Sequence, residues 1–123
     1  MGQTREVTIT RLDEARIRVL LKHVSEEAAG PLLDELDQAA VVPDEELPAN
    51  VVRMGSHIRF EDLDTGKLSE CTLVYPQDAD PSEQRISVLA PVGAALIGLA
   101  EGADIEWPLP GGQFRRLKVV AVS

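Results

Sequence analysis

The sequence predicts an α+β protein, in which a short N-terminal antiparallel helical hairpin precedes an antiparallel sheet with one short helix against it. Two stretches of contrasting pattern carry this prediction. Apolar residues recur at helical spacing through the N-terminal third of the chain, and beyond Asn50 the period falls to two, as in half-buried strands. The third observation is residues 86–112, ISVLAPVGAALIGLAEGADIEWPLPGG, which read as strand, short helix, glycine stop, strand and turn. Pro91 suits a first helical position and Gly98 a helix stop. That segment carries no obvious catalytic group.

The elements follow in order. Residues 6–9 suit a short strand or an extended lead-in. Thr10 is placed to cap a helix, with Asp13 in the acidic capping role three positions on. The helix is expected over 12–24, with Leu12, Ala15, Ile17, Val19, Leu20, Leu21 and Val24 on a broad apolar face. SEEAAGP at 25–31 breaks that pattern, and Pro31 suits the first turn of a second helix. Leu32, Leu33, Leu36, Ala39 and Ala40 form its apolar stripe, while Asp34, Glu35 and Asp37 face water. Residues 41–43 end it. A short connection makes the pair a hairpin, its basic first helix beside an acidic second. At 1.5 Å per residue, a helix of about 12 residues reaches only ~18 Å.

PDEELP at 43–48 is a linker by composition, dividing the chain into a hairpin over 1–46 and a sheet domain over 47–123. Ile58 and Phe60 mark a strand, Asp64-Thr65-Gly66 a turn, and Cys71, Leu73 and Tyr75 a second strand ended by Pro76. Residues 77–84 form a polar loop, 86–89 a strand and 91–97 a short helix. Ile105 and Trp107 alternate in the next strand, 108–112 turn, and 114–122 close the sheet with Leu117, Val119 and Ala121 on one face.

With 123 residues, 44% of them hydrophobic, the chain can bury a core without disulfides. Cys71 is the single cysteine. It rules out an intrachain disulfide, fits a reducing compartment, and reads as a small core residue in an apolar run. The first ten residues are polar and lack the apolar stretch of a signal peptide. No apolar run approaches the roughly 20 residues that span a bilayer. A soluble cytoplasmic protein is expected.

The net charge of -9 and 3% aromatic content argue against direct nucleic-acid binding, which draws on Lys and Arg against phosphates. Docking on the protein surface of a nucleic-acid machine is still open to an acidic chain. The charge is concentrated: residues 24–52 hold eight acids and no Lys or Arg. That stretch is either a solvated face that aids solubility or a surface complementary to a basic partner.

The segment ISVLAPVGAALIGLAEGADIEW, followed by a glycine turn and a hydrophobic closing strand, resembles the C-terminal FKBP-like domain of the Gre transcript-cleavage factors (the GreA/GreB family). TITRLDEARI, LLDELDQAAVV, PANVVRMGS and TLVYPQDAD narrow the resemblance to its Rnk branch, regulators of nucleoside diphosphate kinase. Together these segments span nearly the whole chain. The resemblance implies a bacterial protein that binds RNA polymerase near its secondary channel. Gre factors insert a long coiled coil there, and acids at its tip help hold the metal that cleaves backtracked RNA. Rnk proteins carry a truncated hairpin, in keeping with the ~18 Å reach above. The expected function is therefore polymerase docking in competition with Gre-type factors, without RNA cleavage. A direct contact with nucleoside diphosphate kinase is the alternative. No cofactor, nucleic acid or membrane partner is expected, and the chain is expected to be a monomer.

Three sets of residues are candidates for function. Pro91, Val92 and Ala95 match the polymerase-contacting region of Gre globular domains, but a proline at a helix start and alanines against a sheet also serve packing alone. Gre domains commonly place Ser before this proline; here Ala90 removes that capping hydroxyl. Glu26 and Glu27 lie at the expected hairpin tip. Two adjacent carboxylates without further ligands make a weak Mg²⁺ site, so a solvated turn is the simpler reading. His23 and His57 lack companion metal ligands, so no metal site is expected. No phosphate loop or nucleophile-elbow motif is present. An FKBP-like prolyl isomerase is the enzymatic alternative. It is weakened because Phe60, Trp107 and Phe114 are better used in the core, and the protein is not expected to be an enzyme.

Overall fold

The chain runs β1 (Thr8–Thr10), α1 (Arg11–Leu21), α2 (Glu26–Gln38), β2 (Ala40–Val42), β3 (His57–Asp62), β4 (Leu68–Val74), β5 (Arg85–Ser87), α3 (Pro91–Leu96), β6 (Asp104–Pro108) and β7 (Phe114–Val122). The computed structural model describes residues 7–108 and 112–123, apart from the side chains of residues 28, 31, 91, 107 and 108. Single 3-10 turns at Asp44–Glu46, Pro76–Asp78 and Pro81–Glu83 organise the stretches expected to be linker and loop.

Thr10 starts α1 as expected, its Oγ1 accepting from the Asp13 backbone N–H at 3.0 Å. The Asp13 carboxylate has a different use from the capping role. It is 4% exposed and accepts the Met54 backbone N–H at 3.1 Å. A buried carboxylate requires a donor, and this one fastens α1 to the lead-in of β3. The helix stops at Leu21 rather than residue 24. The Lys22 and His23 amides bond the Val19 and Leu20 carbonyls, tightening the last turn.

α2 begins at Glu26, five residues before the expected start at Pro31. Two acids in its first turn favour the positive end of the helix dipole, and the Ala29 amide bonds the Ser25 carbonyl at 2.9 Å. Pro31 falls in the second turn. Its missing N–H forgoes one helical bond without ending the helix. Ala40, expected on the helical stripe, and Val41 and Val42, expected with Pro43 to end the helix, form a strand instead. β2 pairs in parallel with β1, from Thr8 opposite Ala40 to Thr10 opposite Val42.

The main sheet has the order β5-β4-β3-β7-β6 and is antiparallel except between β4 and β5. At the β3–β4 turn, Asp62 Oδ1 accepts from the amides of Asp64 and Thr65, and Gly66 takes φ +77°. The β3–β7 register shifts between Arg59, opposite Ala121, and Phe60, opposite Val119. This bulge leaves Val120 unopposed and resets which face follows. Leu117 and Val119 face the core as expected, but Val122 rather than Ala121 continues their packing. Phe114, expected in the core, is 63% exposed. It shares its strand parity with Arg116 and Lys118, on the solvent face. The Trp107 side chain, also expected in the core, lies outside the described residues.

One core cluster gathers Ile9, Ile17, Leu32 and Leu36 with Ile58, Leu73, Leu96 and Leu99. α2 packs on α3, so the helices rest on the sheet body. The apolar face of α1 is narrower than expected: Ile17 and Leu21 are buried, whereas Leu12, Ala15 and Val19 are exposed. No helix among the described residues is long and apolar enough to cross a membrane.

Candidate functional site

The turn from β5 into α3 is built by small residues and backbone bonds. Val88 is fully buried, and its amide bonds the Val74 carbonyl at 2.9 Å. Ser87 Oγ accepts from the Leu89 amide at 3.0 Å, and the Ser87 carbonyl accepts from the Ala90 amide at 3.0 Å. Ala90 stands at the N-cap with no side-chain cap. The helix has no capping hydroxyl there, as the methyl group dictates. The first helical bond runs from the Ala94 amide to the Ala90 carbonyl at 2.9 Å.

Gly93 makes this geometry feasible, and the sequence reading did not single it out. A Cβ there would collide with the Ser87 carbonyl oxygen. α3 therefore lies directly on the end of β5. Gly98 stops the region in the left-handed conformation at φ +81°, as expected. Its carbonyl accepts from the Thr8 amide at 3.0 Å, and its own amide bonds the Val52 carbonyl at 2.9 Å. A Cβ there would stand 2.5 Å from Val7 Cγ1.

Pro91 is the first residue of α3, and its side chain lies outside those described. Val92 is half-buried and packs on the core; Ala95 is 9% exposed and belongs to the core. Packing thus accounts for Ala95. The edge that solvent reaches is formed by Leu89, Ala90 and Val92.

Glu26 and Glu27 are exposed in the first helical turn of α2, beside the connection rather than in it. Successive helical positions do not face each other, so the two carboxylates diverge. Among the described residues no group of three His, Cys, Asp or Glu side chains could hold a metal ion. α2 adjoins α3, yet among the described residues no hydrogen bond or ion pair joins either glutamate to the β5–α3 turn.

Two further titratable groups, Glu70 and Cys71, have structural surroundings that shift them. His57 lies on the solvent face of β3, with Nε2 2.8 Å from Glu70 Oε1; Arg59 reaches the other carboxylate oxygen at 3.4 Å. The His57 hydrogen bond and the Arg59 charge hold the Glu70 carboxyl below the usual range. Cys71 is buried in β4, and burial pushes its thiol up to about 11. At neutral pH it is not a nucleophile.

A family model described as "Transcription elongation factor, GreA/GreB, C-term" matches residues 47–123. The chain belongs to the GreA/GreB family. The regulator of nucleoside diphosphate kinase of Escherichia coli (strain K12) is 42% identical over 121 residues, covering 95% of this chain and 88% of that protein. Transcription elongation factor GreA of Desulfovibrio desulfuricans is 37% identical over 77 residues, covering 63% of this chain and 47% of that protein. The solved structure of a prokaryotic transcription elongation factor GreA/GreB from Nitrosomonas europaea is 44% identical. It covers 98% of this chain and 99% of its own, with a TM-score of 0.79. GreA factor homolog 1 of Thermus thermophilus, at 22% identity and a TM-score of 0.52, shares the fold. In this GreA/GreB-family chain the matched region includes the β5–α3 turn, Gly93 and Gly98. Its relatives are regulatory factors, and the chain is a transcription-factor-like regulator.

Proposed function

We propose that the chain docks on RNA polymerase near the secondary channel and competes there with Gre-type factors without cleaving RNA. The observation that carries the reading is the GreA/GreB match over 47–123, joined to helices too short to probe a buried centre. α2 has 13 residues, about 20 Å of helix. The FKBP-like sheet body is the docking part, through the half-buried edge of the β5–α3 turn formed by Leu89, Ala90 and Val92. The short hairpin occupies space at the channel mouth, with Glu26 and Glu27 solvated at its tip and no catalytic role. Crosslinking to core polymerase should map contacts to the β5–α3 turn. Absence of binding at micromolar concentration would overturn the reading.

A second reading is direct regulation of nucleoside diphosphate kinase, supported by the name of the 42% identical relative. Assaying that kinase with the two purified proteins alone separates it from an effect through transcription. A change in kinase rate without polymerase present supports direct contact, and an unchanged rate removes it.

A further inference from the structure

α1 turns toward solvent a face that nothing in the described fold covers. Asp13, Ile17 and Leu21 point inward. At about 100° per residue, the opposite side carries Leu12, Ala15 and Val19. Leu12 is 44% and Val19 56% exposed, so this stripe is apolar and wet. Arg11 and Lys22 run along one edge of it and Arg16 along the other. All three cations are exposed, and among the described residues none has a carboxylate within ion-pair distance. Arg18, on the same helix, is already engaged by Glu14 at 3.2 Å and Asp37 at 3.4 Å.

The stripe continues into a groove of about 520 Å³, lined by Ala15, Arg16, Val19, Leu20, Tyr75 and Gln77. Tyr75 follows β4 and forms part of the groove wall. Its hydroxyl is buried, and although Arg16 lies near it, no oriented hydrogen bond joins them. Exposed apolar stripes of this kind mark contact surfaces. An apolar stripe with free cations on both flanks is complementary to an amphipathic helix with carboxylates on both flanks. A second copy in a two-fold contact would set these same cations against each other.

We propose that this face of α1 docks an amphipathic helix of another protein, whose apolar side chains fill the groove beside Val19 and Tyr75 and whose flanking carboxylates pair with Arg11, Arg16 and Lys22. The surface is separate from the β5–α3 turn and does not depend on the polymerase reading.

The probe is a synthetic helical peptide with leucines along one face and glutamates on both flanks. The control carries lysines in place of the glutamates. Titrated into the full chain at low salt, the acidic peptide should bind saturably and weaken as salt rises. Amide shifts should concentrate at Leu12, Ala15, Val19 and Tyr75. Val19→Glu should weaken binding about tenfold or more without changing the melting temperature. Arg16→Glu should weaken the acidic peptide and improve the lysine one. No saturable binding, shifts centred elsewhere, or Val19→Glu binding as well as the parent would each overturn the proposal. So would a dimer by light scattering that Val19→Glu dissolves, since the occupant would then be a second copy.

Discussion

Cys71 is buried in β4, between β5 and β3, and its thiol shows what burial costs an ionisable group. Desolvation raises it from 9.0 to about 11. Between those values the folded chain retains a proton that the unfolded chain has lost. The contribution is therefore complete below about pH 9 and fades as pH rises toward 11. Urea midpoints measured from neutral pH to about 10.5 should fall more steeply for the parent than for Cys71→Ala. Parallel curves would contradict the assignment. Tyr75, whose phenol burial also pushes up, acts with the same sign but is present in both proteins and cancels. Two glycines make a contrasting pair of tests. Gly93→Ala drives a methyl into the Ser87 carbonyl and should cost about 1–3 kcal/mol, read from thermal melting. Gly30→Ala meets no other element within 4 Å of the added carbon, but Gly30 precedes Pro31 in α2, where a Cβ is disfavoured in the α region by the proline ring; the usual helical gain should be offset and the melting temperature should stay close to the parent's. The need for glycine at Gly93 is invisible in sequence, because it arises from a backbone oxygen brought there by tertiary packing. The Gly98 stop was legible, because a left-handed helix end is a local demand that glycine meets.

At the scale of elements, the apolar stripe of α2 decides which leucines hold the helices to the sheet. Leu32 and Leu36 are 1% and 3% exposed, whereas Leu33 is only half-buried. Leu36→Ala should therefore cost about 2–5 kcal/mol and Leu33→Ala clearly less, measured by chemical denaturation. Equal losses would mean that the helix presents a different face. Strand elements were readable where local alternation suffices: β7 occupies residues 114–122 as expected. What could not be read is non-local. The sequence points to a later start for α2 because Gly30 and Pro31 look like breakers, while the helix is held by its packing on α3. The β1–β2 pairing joins residues about thirty positions apart. The bulge at Val120 depends on the facing strand, so the exchange of Ala121 for Val122 leaves no signature in β7 itself.

For the whole molecule, the helical segment and the sheet segment contribute to one core cluster, and Asp13 bonds the Met54 amide between them. The helices therefore rest on the sheet body, and among the described residues no helix is longer than the 13 residues of α2. The residues ISVLAPVGAAL announced the β5–α3 turn in the sequence, but not which of its side chains reach solvent. Ala95 is packed inside, and Leu89, Ala90 and Val92 form a half-buried edge that solvent reaches in part. That edge is the part of the candidate site that can meet a large partner. The most direct measurement is equilibrium binding to core RNA polymerase, challenged with GreA and followed by a cleavage assay on backtracked complexes. The account predicts binding that GreA displaces, no stimulation of cleavage by this chain, and suppression of GreA-stimulated cleavage when it is in excess. Failure to bind, binding that GreA leaves unaffected, or cleavage stimulated by this chain alone would contradict it.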